Sequence, residues 1–130
     1  MLKRLHAFAA AIVVAAATAA GAAQAADLQE IISRGTIRIG VPIDVPPFGF
    51  VDAGNQAIGL DVDVANMIGE ALGVTVELQQ ITSSNRVPYL VTDRLDLVIS
   101  AMGATPERAQ QIAFSSPYSA LSIGVFGPDS

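Results

Sequence analysis

The stretch "ISAMGATPERAQQIAFSSPY", Ile99 to Tyr118, ends an apolar run in small residues and opens a helix within seven positions. Thr105 is a favoured N-cap, and Pro106 suits the first helical position, where the missing N–H would have had no partner anyway. A strand that gives way to small residues and then to a capped helix is the joint of a β-α unit. Glu107 then takes the second helical position and Arg108 the third. A capping box would put Glu or Gln there, whereas a cation at the positive end of the helix dipole loses roughly 0.3–1 kcal/mol. Something negative should answer Arg108: a surface carboxylate such as the adjacent Glu107, or an anionic ligand.

Working outward, the same alternation recurs. "DLQEIISRG" predicts a short amphipathic helix with Leu28, Ile31 and Ile32 on one face and Gly35 as its left-handed stop. "TIRIGV" alternates as a strand, and the polar, Pro- and Gly-rich "PIDVPPFGFVDAGNQAIG" reads as a loop. Asp61 is expected to cap "DVDVANMIGEALG", in which Val64, Ile68, Ala71 and Leu72 keep helical spacing up to Gly73. "VTVEL" and "LDLVIS" read as further strands, with a short helix entered near Pro88 between them, and "LSIGVF" as a last one after a turn at Ser116-Pro117. The fold class is therefore α/β with a mainly parallel sheet and right-handed crossovers. If the first strand lies between the second and third, ligands are expected beyond their carboxyl ends, between the loops after Val41 and Ile99.

Residues 1–26 read as a secretory signal outside this fold. Lys3 and Arg4 start it, an apolar run from about Ala7 to Ala19 follows, and Ala23-Gln24-Ala25 offers small residues for cleavage. The run falls short of the roughly 20 residues of a membrane-spanning helix. Of the seven basic residues Lys3 and Arg4 belong to this segment, so five arginines face twelve carboxylates from Asp27 onward, a net charge of −7. Nucleic acid and anionic membranes are poor partners for that balance. With no cysteine, and with the only histidine, His6, inside the signal, the mature segment has no disulfides, no Cys or His zinc site and no Ser-His or Cys-His pair. No P-loop or GxGxxG pattern appears, so no nucleotide cofactor is implied.

In the loop ahead of Arg108, Ala101, Gly103 and Ala104 leave backbone N–H groups uncovered, a geometry that holds carboxylates, and the arginine adds a planar fork of donors. These residues, with "GTIRIGVPIDVPPFGF", "GLDVDVANMIGEALGV", "NRVPYL" and the F-S-x-P-Y order, resemble the family 3 periplasmic solute-binding proteins, the polar amino acid receptors of ABC importers. The resemblance runs from about Leu28 to Phe126. It implies a periplasmic binding protein-like (type II) lobe, residues 27–130, that binds a small amino acid-like solute in the periplasm and delivers it to a permease in the inner membrane. It also implies that Arg108 grips the ligand α-carboxylate, that Ser100, Ala101 and Gly103 contact the ligand through hydroxyl and backbone groups, and that Ser83, Asn85 and Arg86 set side-chain selectivity.

Three departures stand beside this. Direct alignment puts Val45 where the family often stacks an aromatic over the ligand, so either Phe48 or Phe50 substitutes or that cap is lost. Gly103 keeps its N–H where a hydroxyl residue is frequent. The second lobe of the family, with its acidic residue for the ligand ammonium, has no counterpart, so the chain looks like most of a first lobe, which leaves a receptor fragment without function of its own as one alternative. The enzymatic alternative is a cyclic-acid dehydratase on the same fold, which needs a carboxyl of raised pKa in the cleft, with Asp44 as the nearby candidate. Asp61, Asp63, Asp96, Glu107, Ser115, Ser116 and Tyr118 are expected to be structural, and Arg86 either to line the cleft or to form a surface pair.

Overall fold

The computed structural model describes residues 27–122 together with Gly124 and Gly127. The predicted signal segment and half of "LSIGVF" therefore lie outside the described residues, and Leu121, Ser122 and Gly124, which are described, carry no strand.

Helix α1 spans Leu28–Arg34. Asp27 caps it by accepting from the Gln29 N–H at 3.1 Å, and Gly35, at φ 73°, ends it by donating to the Ile31 and Ile32 carbonyls. Only Ile31 is buried; Leu28 and Ile32 stay exposed, because a helix of two turns laid along one strand covers a single row of its apolar residues. Strand β1, Thr36–Val41, follows directly and sits at the centre of a parallel sheet between β5, Thr75–Gln80, and β6, Leu97–Val98. The β1–β5 register runs from Thr36 opposite Thr75 to Val41 opposite Gln80, whereas β6 is held by two pairs, Ile39 with Leu97 and Gly40 with Val98. This is the strand order that places a switch point between the loops after β1 and β6.

Ile37, Ile39 and Val41 point to one face and form the core with Ile31, Val62, Ala65 and Ile99. Burial of a branched aliphatic side chain contributes about 1.5–3 kcal/mol, so this cluster is the main driving force of the fold. The opposite face of β1 is covered too. A Cβ on Gly40 would lie 2.6 Å from Leu95 and 2.7 Å from Ile81, so the glycine is what lets both side chains close over the strand.

Between β1 and the next helix the expected loop is instead a small antiparallel sheet of β2 (Asp44–Val45), β3 (Gly49–Val51) and β4 (Ala57–Ile58), in that order. Strands of two and three residues are too short to show an alternating pattern, and the prolines between β2 and β3 conceal them further. Asp52 organises the β3–β4 turn, its Oδ1 accepting from the N–H groups of Gly54 and Gln56, both at 2.8 Å.

Helix α2 spans Leu60–Leu72 and begins one residue before the expected cap. Gly59, at φ 120°, is the N-cap and has no side chain to bond; the first helical N–H groups find backbone acceptors, Leu60 N–H to Pro47 at 3.2 Å and Asp61 N–H to Phe48 at 2.7 Å. Asp61 is therefore not the cap but a fully buried residue of the first turn, at 0% exposure. Helix α3, Arg86–Val91, starts two residues before Pro88. Helix α4, Pro106–Ala109, has the expected start: Thr105 is its N-cap and accepts from the Arg108 N–H at 3.4 Å.

Asp96 ties three elements together. Its carboxylate, with no exposed side-chain surface, accepts from Arg34 at the end of α1 at 2.5 Å, from the Arg38 guanidinium of β1 at 2.7 Å and from the Arg38 backbone N–H at 2.8 Å, just ahead of β6. Burial pushes this carboxyl up, but the hydrogen bonds and charge of Arg38, with Arg34 behind them, outweigh burial and hold it below the ordinary range.

Candidate functional site

Beyond β6 the chain runs through Ile99 into an irregular segment, Ser100 to Ala104, and turns into α4. Ser100 is half-buried; Ala101, Gly103 and Ala104 are exposed. Among the described residues, none of the N–H groups of Ala101, Met102, Gly103 and Ala104 donates to a backbone or side-chain acceptor within the protein. A Cβ on Gly103 would meet nothing within 4 Å, so the backbone here is open to an approaching group.

Two arginines border this loop. Arg108, half-buried in α4, donates through Nη1 to the Gly103 carbonyl at 2.9 Å. Arg86, half-buried at the start of α3, donates through Nη1 to the Ala101 carbonyl at 3.1 Å and to the Ser100 hydroxyl at 3.3 Å, while its buried Nε has no partner. Burial pushes the Arg86 guanidinium below its ordinary range, and the positive charge of Arg108 adds to the shift. Among the described residues neither arginine pairs with a carboxylate. Glu107, the simple surface partner for Arg108, is held below the ordinary carboxylate range chiefly by hydrogen bonds from its own backbone and Thr105, with Arg108 contributing only its charge, and no ion pair forms.

The other expected site residues divide. Asn85 is half-buried, and its Oδ1 accepts from the Thr82 N–H at 2.8 Å, which ties this amide to the turn before α3. Ser83 is exposed in the same turn. Phe48 is half-buried and lines an open, mostly apolar groove of about 1120 Å³ that also touches Ser100, Ala101 and Gly103 and runs along Leu95, Leu97 and Phe114. Arg86 and Arg108 do not line that groove. Phe50 sits in β3 opposite Asp44 and Ile58, and Val45 is 38% exposed in β2.

Asp61 and Tyr118, both expected to be structural, form a contact that the sequence does not announce. The Tyr118 hydroxyl donates to Asp61 Oδ1 at 2.8 Å, pinning the end of the segment that carries Arg108 to the start of α2, while Asp61 Oδ2 is buried without a partner. Burial pushes the Asp61 carboxyl up, and the Tyr118 hydrogen bond only partly opposes it. Because the folded state holds this proton more tightly than the unfolded chain, the contribution of Asp61 to stability is fully present below about pH 4 and is lost as pH rises through the folded value. Asp61→Asn keeps an oxygen for Tyr118 and removes the buried charge. It is expected to raise stability at pH 7 by about 1–2 kcal/mol, with the advantage shrinking as pH falls through the raised folded value and gone by about pH 4. Thermal unfolding of both proteins across pH checks this, and a gap that widened on acidification would contradict the assignment.

Comparison with known proteins is consistent with this geometry. Residues 37–130 match the model for bacterial extracellular solute-binding proteins, family 3. The chain is 36% identical over 95 residues to a putative ABC transporter arginine-binding protein 2 of Escherichia coli, covering 71% of this chain and 39% of that protein. It is 30% identical over 102 residues to the cyclohexadienyl dehydratase of Pseudomonas aeruginosa, covering 78% of this chain and 38% of that one. The chain thus spans about two fifths of the length of these relatives. Among solved structures, the arginine-bound form of domain 1 of TmArgBP superposes with a TM-score of 0.65 at 43% identity over 68% of this chain and 71% of that domain. An ancestral cationic amino acid solute-binding protein superposes with a TM-score of 0.67 at 42% identity, covering 71% of this chain and 40% of that one.

Proposed function

Given that the chain belongs to the family 3 bacterial extracellular solute-binding proteins, we propose that it binds a free amino acid by its α-carboxylate, without chemistry, for delivery to the permease of an ABC importer. The observation that carries this reading is the Ser100–Ala104 loop, whose N–H groups, unengaged among the described residues, stand beside an Arg108 that none of the described carboxylates pairs with. A carboxylate satisfies both at once, because a planar guanidinium and backbone N–H groups are matched donors for its two oxygens. Arg108 and the N–H groups of Ala101 and Gly103 hold the carboxylate, and Ser100 assists with its hydroxyl. Phe48 covers the ligand, and Arg86, Ser83 and Asn85 face the rest of it. Export to the periplasm, with residues 1–26 removed, belongs to the same reading.

The relatives support binding rather than catalysis. Several are named for arginine binding or ABC transport, and an arginine-bound domain 1 of a relative supports the view that one lobe holds a ligand. The dehydratase alternative has weaker support. Asp44 is exposed in β2, and Asp61, the buried carboxyl of raised pKa, faces Tyr118. Calorimetric titration with a panel of L-amino acids and the amines left when their carboxylates are removed tests the proposal. At least one amino acid is expected to bind and its amine to fail; an amine that bound as tightly would overturn it.

A further inference from the structure

Downstream of α4 the chain is held lightly. Among the described residues, the segment from Ala113 to Ser122 has no helix or strand and makes one hydrogen bond to the rest of the protein, from the Tyr118 hydroxyl to Asp61 Oδ1 at 2.8 Å. Asp61 also donates its backbone N–H to the Phe48 carbonyl at 2.7 Å. Phe48 and Tyr118 both line the groove that touches Ser100, Ala101 and Gly103. One residue of α2 therefore joins two walls of that groove. It does so as a fully buried carboxyl whose Oδ2 meets no donor among the described residues. A charge in that setting costs stability that a neutral residue would not, so packing alone does not account for it.

Resting on the carboxylate-binding reading above, we infer that Asp61 is a positioning residue for the ligand site: through Tyr118 and Phe48 it holds the groove walls in place, most firmly as a carboxylate, so that ligand binding is coupled to loss of a proton at Asp61. The charge sets the strength of the Tyr118 tether, because a hydrogen bond to a carboxylate is roughly twice as strong as one to a neutral acceptor. Burial pushes the Asp61 carboxyl up and Tyr118 opposes it, and no charged neighbour enters that balance. Of the elements packed on α2, β3 and β4 carry no ionisable group and β5 carries Glu77. β1 carries Arg38, whose guanidinium is engaged by Asp96 and by the Asp93 carbonyl. α2 itself adds Asp63 and Glu70. Asp96 and Glu107 are moved the opposite way, and Tyr118 is raised by burial and by Asp61, so these three keep their protonation states while Asp61 changes its own. A weaker tether lowers the fraction of molecules with both walls in place, and the apparent affinity falls with that fraction. By reciprocity, a ligand that favours the tethered form releases protons as it binds.

The test is calorimetric titration from about pH 8 to about pH 4.5 with the tightest-binding of the standard L-amino acids, aspartate, glutamate and histidine being left out because their side chains titrate near that range. The wild-type affinity is expected to fall about fivefold on acidification, in one step above about pH 4. Within the step, binding is expected to release protons, read from the dependence of the heat on the ionisation enthalpy of the buffer. Asp61→Asn keeps an acceptor for Tyr118 but nothing that titrates. It is expected to bind at every pH with the affinity the wild type has in acid, without proton release, although it is the more stable protein at pH 7. Opposite movements of stability and affinity separate positioning from a general loosening of the fold. Tyr118→Phe removes the donor and is expected to bind about tenfold more weakly than the wild type at pH 7, with no step. A flat wild-type affinity over this range, a step that survives either substitution, or wild-type affinity in Tyr118→Phe would overturn the inference and leave the carboxylate reading intact. Failure of every amino acid to bind at any pH would overturn both.

Discussion

Replacing Arg108 by alanine is expected to weaken binding of every amino acid ligand by about 100-fold or more. A charge-assisted hydrogen bond is worth about 1.5–3 kcal/mol, and the guanidinium offers two in parallel to a carboxylate. Arg108→Lys is expected to recover only part of the affinity. The fold should tolerate either change, because Thr105 accepts from the backbone N–H of Arg108 and the side chain reaches only the Gly103 carbonyl. Removing a cation from the first turn of α4 also relieves a small unfavourable interaction with the helix dipole. Calorimetry alongside a thermal melt separates the two effects. An Arg108→Ala protein that melts normally and binds within threefold of the wild type would end the proposal.

The second large effect is structural. Gly59→Ala is expected to destabilise the protein by more than about 3 kcal/mol, two penalties acting together. At φ 120° and ψ 174° the backbone lies in a region that side-chain-bearing residues scarcely enter, and the added Cβ would lie 2.5 Å from the Phe48 carbonyl oxygen and 2.8 Å from that of Pro47. Those are the carbonyls that accept the first N–H groups of α2, so the neighbours cannot withdraw without uncapping the helix. Gly35→Ala is the comparison. Gly35 also has a positive φ, 73°, but a Cβ there meets nothing within 4 Å, so a cost of about 1 kcal/mol is expected. Melting curves that ranked the two substitutions equally would show that the crowding at Pro47 and Phe48 has been misjudged.

Local signals were the legible ones. The alternation in "TIRIGV", the Thr105 cap and the helix-ending glycines at 35 and 73 act within a few residues, and each took its expected place. The β2–β4 sheet has no such signal because two- and three-residue strands carry no period, and spacing alone puts Leu28 and Ile32 on the face of Ile31 without showing that both stay exposed. In the site, the small-residue loop and the placement of Arg108 were readable, whereas the company they keep was not. Asp61 and its Tyr118 partner stand 57 positions apart, and Arg86 reaches Ser100 across 14. Capping chemistry sufficed to explain Asp61 at its position in the sequence, and only tertiary packing makes it buried and half-satisfied.

The two flanks of β1 differ in how firmly they are zipped. Toward β5 the ladder has six rungs; toward β6 it has two, reinforced by the clasp of Asp96 on Arg34 and Arg38. The loop that carries the open N–H groups hangs from the thinner flank. Local opening is easiest where hydrogen bonds are fewest, so β6 and the loop form a unit that parts from the sheet well before β1 and β5 separate. Occupancy and opening are then linked equilibria. A ligand gripping the loop protects the β6 amides from exchange, and the opening rate of that two-rung flank sets the longest time a bound ligand can stay.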